Sequence, residues 1–146
     1  RLHQVLANLM SNAGKHTPPG STVSVALATG DGGPRDAPSG AADSGLVRRG
    51  VPPTGLRVEL SITDDGPGIP PELLPELFER FTRADTSRAR EAGAAGTSTG
   101  LGLAIVDAVV AAHGGSITVA SRPGLTRFVI FLPLLPQPAD MADMTG

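Results

Sequence analysis

Cysteine, tryptophan and tyrosine are absent from this 146-residue chain, and phenylalanine occurs four times. Without cysteine there is no disulfide framework, no thiolate metal site and no thiol nucleophile. With so few aromatics the usual platform for stacking unpaired bases is missing. The 12 Lys+Arg against 14 Asp+Glu, a net charge of -2, supply no basic field for a phosphate backbone. Nucleic acid is therefore not expected as a partner. No apolar run approaches the ~18–20 residues of a membrane span, and no stretch reads as a secretory leader, so direct membrane contact is not expected either. What remains is an aliphatic composition, 40% apolar, over a length that suits one domain. The chain starts at Arg1, already inside a helical pattern, and reads as a piece of something longer.

Leu2, Val5, Leu6, Leu9 and Ala13 recur at helical spacing over residues 1–14, ahead of Gly14 and Pro18-Pro19. Residues 22–29 alternate Val23, Val25 and Leu27 as a half-buried strand would. Residues 30–55 hold seven Gly and four Pro in 26 positions, which predicts a flexible insertion. Alternation returns at 56–63, with Leu56, Val58, Leu60 and Ile62 inward. A turn-rich DDGPGIPP, a short helix near 72–79 and a small-residue loop over 82–99 follow. Residues 100–112 predict an apolar helix closed by His113-Gly114-Gly115. SITVAS and TRFVIFL, residues 116–121 and 126–132, predict a hairpin across Arg122-Pro123-Gly124, and a disordered tail is expected over 134–146. Helix, strands, helix and hairpin in this order indicate an α+β fold, a mixed sheet with helices on one face.

Four clusters could carry chemistry. Asn8, Asn12 and Lys15, spaced i, i+4, i+7, share one helix face, with His16 beside them. An amide oxygen suits a hard cation, and Lys15, the single lysine, could reach a phosphate. Asp64-Asp65-Gly66-Pro67-Gly68-Ile69 follows a strand; Asp64 could accept from an exocyclic amine, and its glycines allow close backbone approach. Leu77-Phe78-Glu79-Arg80-Phe81-Thr82-Arg83 sets two phenylalanines beside two arginines, with Arg83 free of the anchor and able to reach a phosphate. Gly96-Thr97-Ser98-Thr99-Gly100-Leu101-Gly102-Leu103 enters the apolar helix, and helix N-termini bind anions. Each cluster also has an ordinary reading as a solvated helix face, an Asp-Gly turn, an amphipathic helix end or a close helix contact.

Taken together and in this order, the clusters resemble those of the catalytic ATP-binding domain of bacterial two-component sensor histidine kinases, in the GHKL superfamily with its Bergerat fold. NLMSNAGKHT is similar to the family's N box, DDGPGIP to its first glycine box, LFERF with TRAD to its F box and TGLGLAIV to its second glycine box. HGGSITVASRPG and FVIFLP resemble its closing hairpin. The resemblance covers about 120 residues, all but the 30–55 insertion and the tail.

The resemblance implies a two-layer α/β sandwich with a mixed, mostly antiparallel sheet and helices on one face, spanning 1–133, with residues 82–99 as a mobile ATP lid. It implies ATP and Mg²⁺ as ligands, Asn12 on the metal, and Asn8 positioning the reacting end. Lys15 would contact phosphate. His16, where the family usually has Tyr, would flank adenine. Asp64 would bind the adenine amine, with Gly66, Gly68 and Ile69 shaping the base pocket. Arg83 would approach the γ-phosphate, and Thr99, Gly100, Leu101, Gly102 and Leu103 would hold the phosphates. Asn8 stands where ATPases of the superfamily usually carry a Glu base, which favours phosphoryl transfer over hydrolysis. The partners implied are a His-bearing dimerisation domain, in the same protein or another chain, and a response regulator downstream. The location implied is cytoplasmic, including the cytoplasmic part of a membrane-bound sensor. His3, His16 and His113 do not fit the acceptor pattern. Two other functions remain open: a non-catalytic nucleotide-binding module, which the His16 replacement and the insertion motivate, and a GHKL-type ATPase or protein Ser kinase.

Overall fold

The computed structural model describes residues 1–31, 45–79 and 102–134. Helix α1 spans Leu2–His16 and buries Val5, Leu9 and Ala13, one residue per turn of a single stripe. It ends because Thr17 precedes Pro18 and adopts extended backbone, a conformation the following proline ring favours. The Thr17 hydroxyl donates to the Ala13 carbonyl at 2.7 Å, and Lys15 and His16 sit in the last turn, where cations suit the helix dipole. Gly14 does not stop the helix, so α1 runs two residues beyond the sequence expectation.

Five strands form one sheet: β1 (Val23–Asp31), β2 (Gly45–Arg49), β3 (Leu56–Asp64), β4 (Ser116–Arg122) and β5 (Leu125–Pro133). Their spatial order is β1-β3-β5-β4-β2, and every neighbouring pair is antiparallel. The hairpin closes on Arg122↔Leu125, with Pro123 and then Gly124 at φ 87, the chemistry of a type II turn. Helix α2 (Gly102–Ala112) and α1 share one face of the sheet. There Val5, Leu9, Val106 and Val110 pack with Ile62, Phe128, Ile130, Ile117 and Val119 in one buried cluster. His113 ends α2 with its ring Nδ1 2.8 Å from the Val109 carbonyl. The segment near 72–79 is a 3-10 turn over Pro71–Glu76, since Pro75 denies an α-helix its backbone hydrogen bond.

The flexible insertion expected over 30–55 is corrected at both ends. β1 runs through Asp31, and residues 45–49 form edge strand β2, paired with β4 from Gly45↔Ser121 to Arg49↔Ile117. The ladder holds β2 with little burial, so composition alone did not betray it. Arg49 pairs with Glu79 at 3.0 Å, and its guanidinium lies 5.9 Å from the Phe78 ring centroid. Residues 32–44, the lid expected over 82–99 and the tail expected beyond 134 lie outside the described residues.

Two burial expectations also change. β1 is an outer strand, and Val25 and Leu27 are exposed, Leu27 by 70%, because the helices do not reach across it. In β3, Ile62 is buried as expected, but Leu56 is exposed and Arg57, on the opposite face, is only 4% exposed. Its guanidinium stacks 4.5 Å from the Phe131 ring centroid and donates to the Pro53 carbonyl, so burial is offset by cation–π and hydrogen-bond contacts. No helix among the described residues is long and apolar enough to cross a membrane.

Candidate functional site

The register sorts the core face of the sheet into rows. Val25, Ile62, Phe128, Val119 and Val47 make one row across the strands, and Leu27, Leu60, Ile130 and Ile117 the next. At the end of the sheet the row turns polar: Asp64, Thr126 and Ser121 stand side by side on β3, β5 and β4. All three are buried.

The paired aspartates divide their work by strand phase. Asp65 faces outward and ties β3 to the start of β1: its carboxylate accepts the Thr22 N–H at 2.8 Å, and its own N–H reaches the Thr22 carbonyl. Asp64 turns inward, and its Oδ1 accepts the Gly66 N–H at 3.0 Å. Burial pushes the Asp64 carboxyl above the usual range. The Gly66 hydrogen bond works against that shift, Asp65 reinforces it, and His16 opposes it.

The loop after Asp64 is clamped to the hairpin turn. Gly124 N–H donates to the Gly66 carbonyl at 3.0 Å, and Ile69 N–H donates to Ser121 Oγ at 2.7 Å. Gly68 takes φ 84 with its Cα against the turn; a Cβ there would lie 2.5 Å from the Arg122 carbonyl oxygen. Gly66 also abuts the end of α1, where a Cβ would meet the Thr17 methyl at 2.9 Å.

The other end of the site lies higher on α1. Asn8 is half-buried and faces Gly102, the first residue of α2; a Cβ on Gly102 would lie 4.0 Å from Asn8 Cγ. The Asn8 Nδ2 is buried with no hydrogen-bond partner among the described residues, a costly state that a ligand acceptor would relieve. Asn12 and His16 are half-buried and Lys15 is exposed. Residues 8 to 16 cover about 12 Å of helix axis at 1.5 Å per residue. One face of α1 thus links a buried carboxylate at His16–Thr17 to the first residue of α2, Gly102, at Asn8.

Of the residues expected from the sequence, Asn8, Asn12, Lys15, His16, Asp64, Gly66, Gly68, Ile69, Gly102 and Leu103 lie in these segments, and Leu103 packs against the core. Arg83, Thr99, Gly100 and Leu101 lie outside the described residues. Ser121 and Thr126 were not anticipated. The signal for them is a hydroxyl at an inward position of an otherwise apolar strand. Among the described residues no group of three or more His, Asp or Glu could hold a metal ion.

Residues 1–136 match the family model described as histidine kinase-, DNA gyrase B- and HSP90-like ATPase. The chain is 50% identical over 134 residues to the probable sensor histidine kinase TcrY of Mycobacterium tuberculosis, and 44% identical over 137 residues to the sensor histidine kinase TrcS of the same organism. Those alignments cover 92% and 94% of this chain but 22% of each relative, so the chain spans about a fifth of their length. Among solved structures it is similar to the mycobacterial sensor histidine kinase MprB, at 34% identity and TM-score 0.59, covering 92% of this chain and 72% of that one. It is also similar to full-length ShkA in complex with AMPPNP, at 29% identity and TM-score 0.55, covering 90% of this chain and 21% of that one. The chain belongs to the histidine kinase-, DNA gyrase B- and HSP90-like ATPase family, as the ATPase domain found in sensor histidine kinases.

Proposed function

We propose that this domain binds ATP along α1 and donates the γ-phosphoryl to a histidine on a separate dimerisation domain. The observation that carries the reading is the pairing of a buried carboxylate at one end of the α1 face with a buried amide, unpartnered among the described residues, at the other. Asp64 accepts from the adenine amine, which a guanine carbonyl cannot replace. Gly66, Gly68 and Ile69 form the wall of the base pocket, and His16 flanks the ring. Asn8 donates to a phosphate oxygen at the mouth of α2, where Thr99, Gly100, Leu101, Gly102 and Leu103 offer backbone amides and a hydroxyl. Lys15 and Arg83 neutralise phosphate charge.

The donor set fits Mg²⁺ in the manner of sites built on substrate phosphates, with Asn12 as the protein ligand and no all-protein cage required. When bound, the ion neutralises phosphate charge. Asn8 is not a useful base near pH 7, so water is not activated there. An imidazole nitrogen attacks the γ-phosphorus, the bond to the bridging oxygen breaks, and ADP departs with the electron pair. The solved ShkA complex with AMPPNP supports the nucleotide, and the sensor histidine kinase relatives support a histidine acceptor; a response regulator downstream is part of this proposal. A cytoplasmic site of action accords with ATP as substrate.

The test is incubation of the domain with γ-labelled ATP, Mg²⁺ and a cognate His-bearing domain. Label on the acceptor histidine is the expected result. Binding without transfer would replace this reading with a regulatory nucleotide module, and steady phosphate release without acceptor would point to an ATPase.

A further inference from the structure

We infer that Ser121, which lies outside the four sequence clusters, is the positioning residue that sets the base pocket of this ATPase domain. The inference rests on the ATP reading above and deepens it. Ser121 is 4% exposed on β4, in the same cross-strand row as Thr126 and Asp64. Its Oγ accepts the Ile69 N–H at 2.7 Å, the shorter of the two bonds that hold the Gly66–Ile69 loop to the hairpin. The same oxygen lies 3.2 Å from Thr126 Oγ1, so one hydroxyl proton is shared along the row.

Its leverage comes from where the loop is held. The Gly66 carbonyl is fixed by Gly124 and the Ile69 amide by Ser121, with Gly68 wedged against the turn between them. The Gly66 N–H that bonds Asp64 is therefore aimed by two anchors, one of which is a side chain. Remove that side chain and Ile69 N–H loses its acceptor, the loop is released on one side, and Asp64 loses its fixed orientation. Nothing near Asn8 or Gly102 changes, because they lie at the far end of the α1 face.

Three proteins decide the matter by ATP titration calorimetry: wild type, Ser121→Ala and Ser121→Thr. Ser121→Ala is expected to raise the Kd for ATP about tenfold at unchanged stoichiometry, the scale of one buried donor left unsatisfied. Ser121→Thr keeps the hydroxyl and is expected to bind as the wild type does. Amide hydrogen exchange at Ile69 should quicken in the alanine variant and stay slow in the threonine variant. A reduced stoichiometry at unchanged Kd would mean that Ser121 serves folding alone, and would overturn the inference. Unchanged Kd and stoichiometry in Ser121→Ala would overturn it while leaving ATP binding intact. If the wild type takes up no ATP, both the inference and the reading beneath it fall.

Discussion

Asp64 holds Gly66 by a local hydrogen bond, from the glycine N–H to Oδ1 at 3.0 Å, while Oδ2 accepts none among the described residues. One oxygen shapes the loop, and in the proposed complex the other accepts from the adenine amine. Asp64→Asn should therefore weaken ATP binding by about 1.5–3 kcal/mol, the worth of a hydrogen bond to a charged group. The carboxyl is held above its ordinary value mainly by burial, so ATP affinity of the wild type should fall as acidification protonates it. For stability the sign is opposite. A raised folded-state value gives a contribution that is full below the unfolded value and lost as pH rises through the folded one. At neutral pH, Asp64→Asn should match or exceed the wild type in melting temperature without nucleotide. That advantage should shrink as pH falls through the carboxylate range. Calorimetry and melting curves at several pH values check both signs.

Asn12 is half-buried on the polar side of α1 and is absent from the core cluster. Asn12→Ala should weaken ATP binding in Mg²⁺ and change it little in chelator, with melting temperature preserved. Equal binding in Mg²⁺ would remove the metal role assigned to this side chain.

Gly68 combines φ 84 with a backbone wall at Arg122 and Pro123. Gly68→Ala faces both conformational strain and a clash with an atom that cannot swing aside. A loss of about 1–3 kcal/mol in denaturant stability is expected, the usual range for strained backbone positions. Gly14, with open space around its Cα and a helical conformation, should tolerate alanine without loss.

Leu9 and Arg49 test how burial sets magnitude. Leu9 is 2% exposed in the main cluster, and Leu9→Ala should cost about 2–5 kcal/mol. Arg49 makes a 3.0 Å pair with Glu79, yet both side chains are substantially exposed, so Glu79→Gln should cost no more than about 1 kcal/mol, and less in high salt. Urea midpoints at two ionic strengths separate the two cases.

Much of the site was legible because its residues sit close together in the chain. The alternation Val58, Leu60, Ile62 continues to Asp64, so strand phase alone selects Asp64 over Asp65 as the inward carboxylate. The α1 face was readable from helical spacing, and the hairpin from Pro123-Gly124. What escaped was non-local. β2 is hidden in a glycine- and proline-rich stretch, and its partner β4 lies about 70 residues away. Alternation told which way Leu27 points but not that the helices stop short of it. The burial of Arg57 depends on Phe131, brought alongside by the sheet, together with the Pro53 carbonyl. Ser121 and Thr126 acquire meaning only when their row meets Asp64.

β5 occupies the middle of the sheet yet follows all four other strands in the chain. A nascent polypeptide that has emerged only as far as Arg122 carries β3 and β4 with no strand to join them, and the core that Phe128 and Ile130 complete is unfilled. Closure must await the final hairpin arm. Folding of this domain is then gated by pairings that span some sixty residues, such as Asp64 with Thr126, and long-range pairing of this kind is slow. Premature termination inside β5 should leave a product fit only for proteolysis.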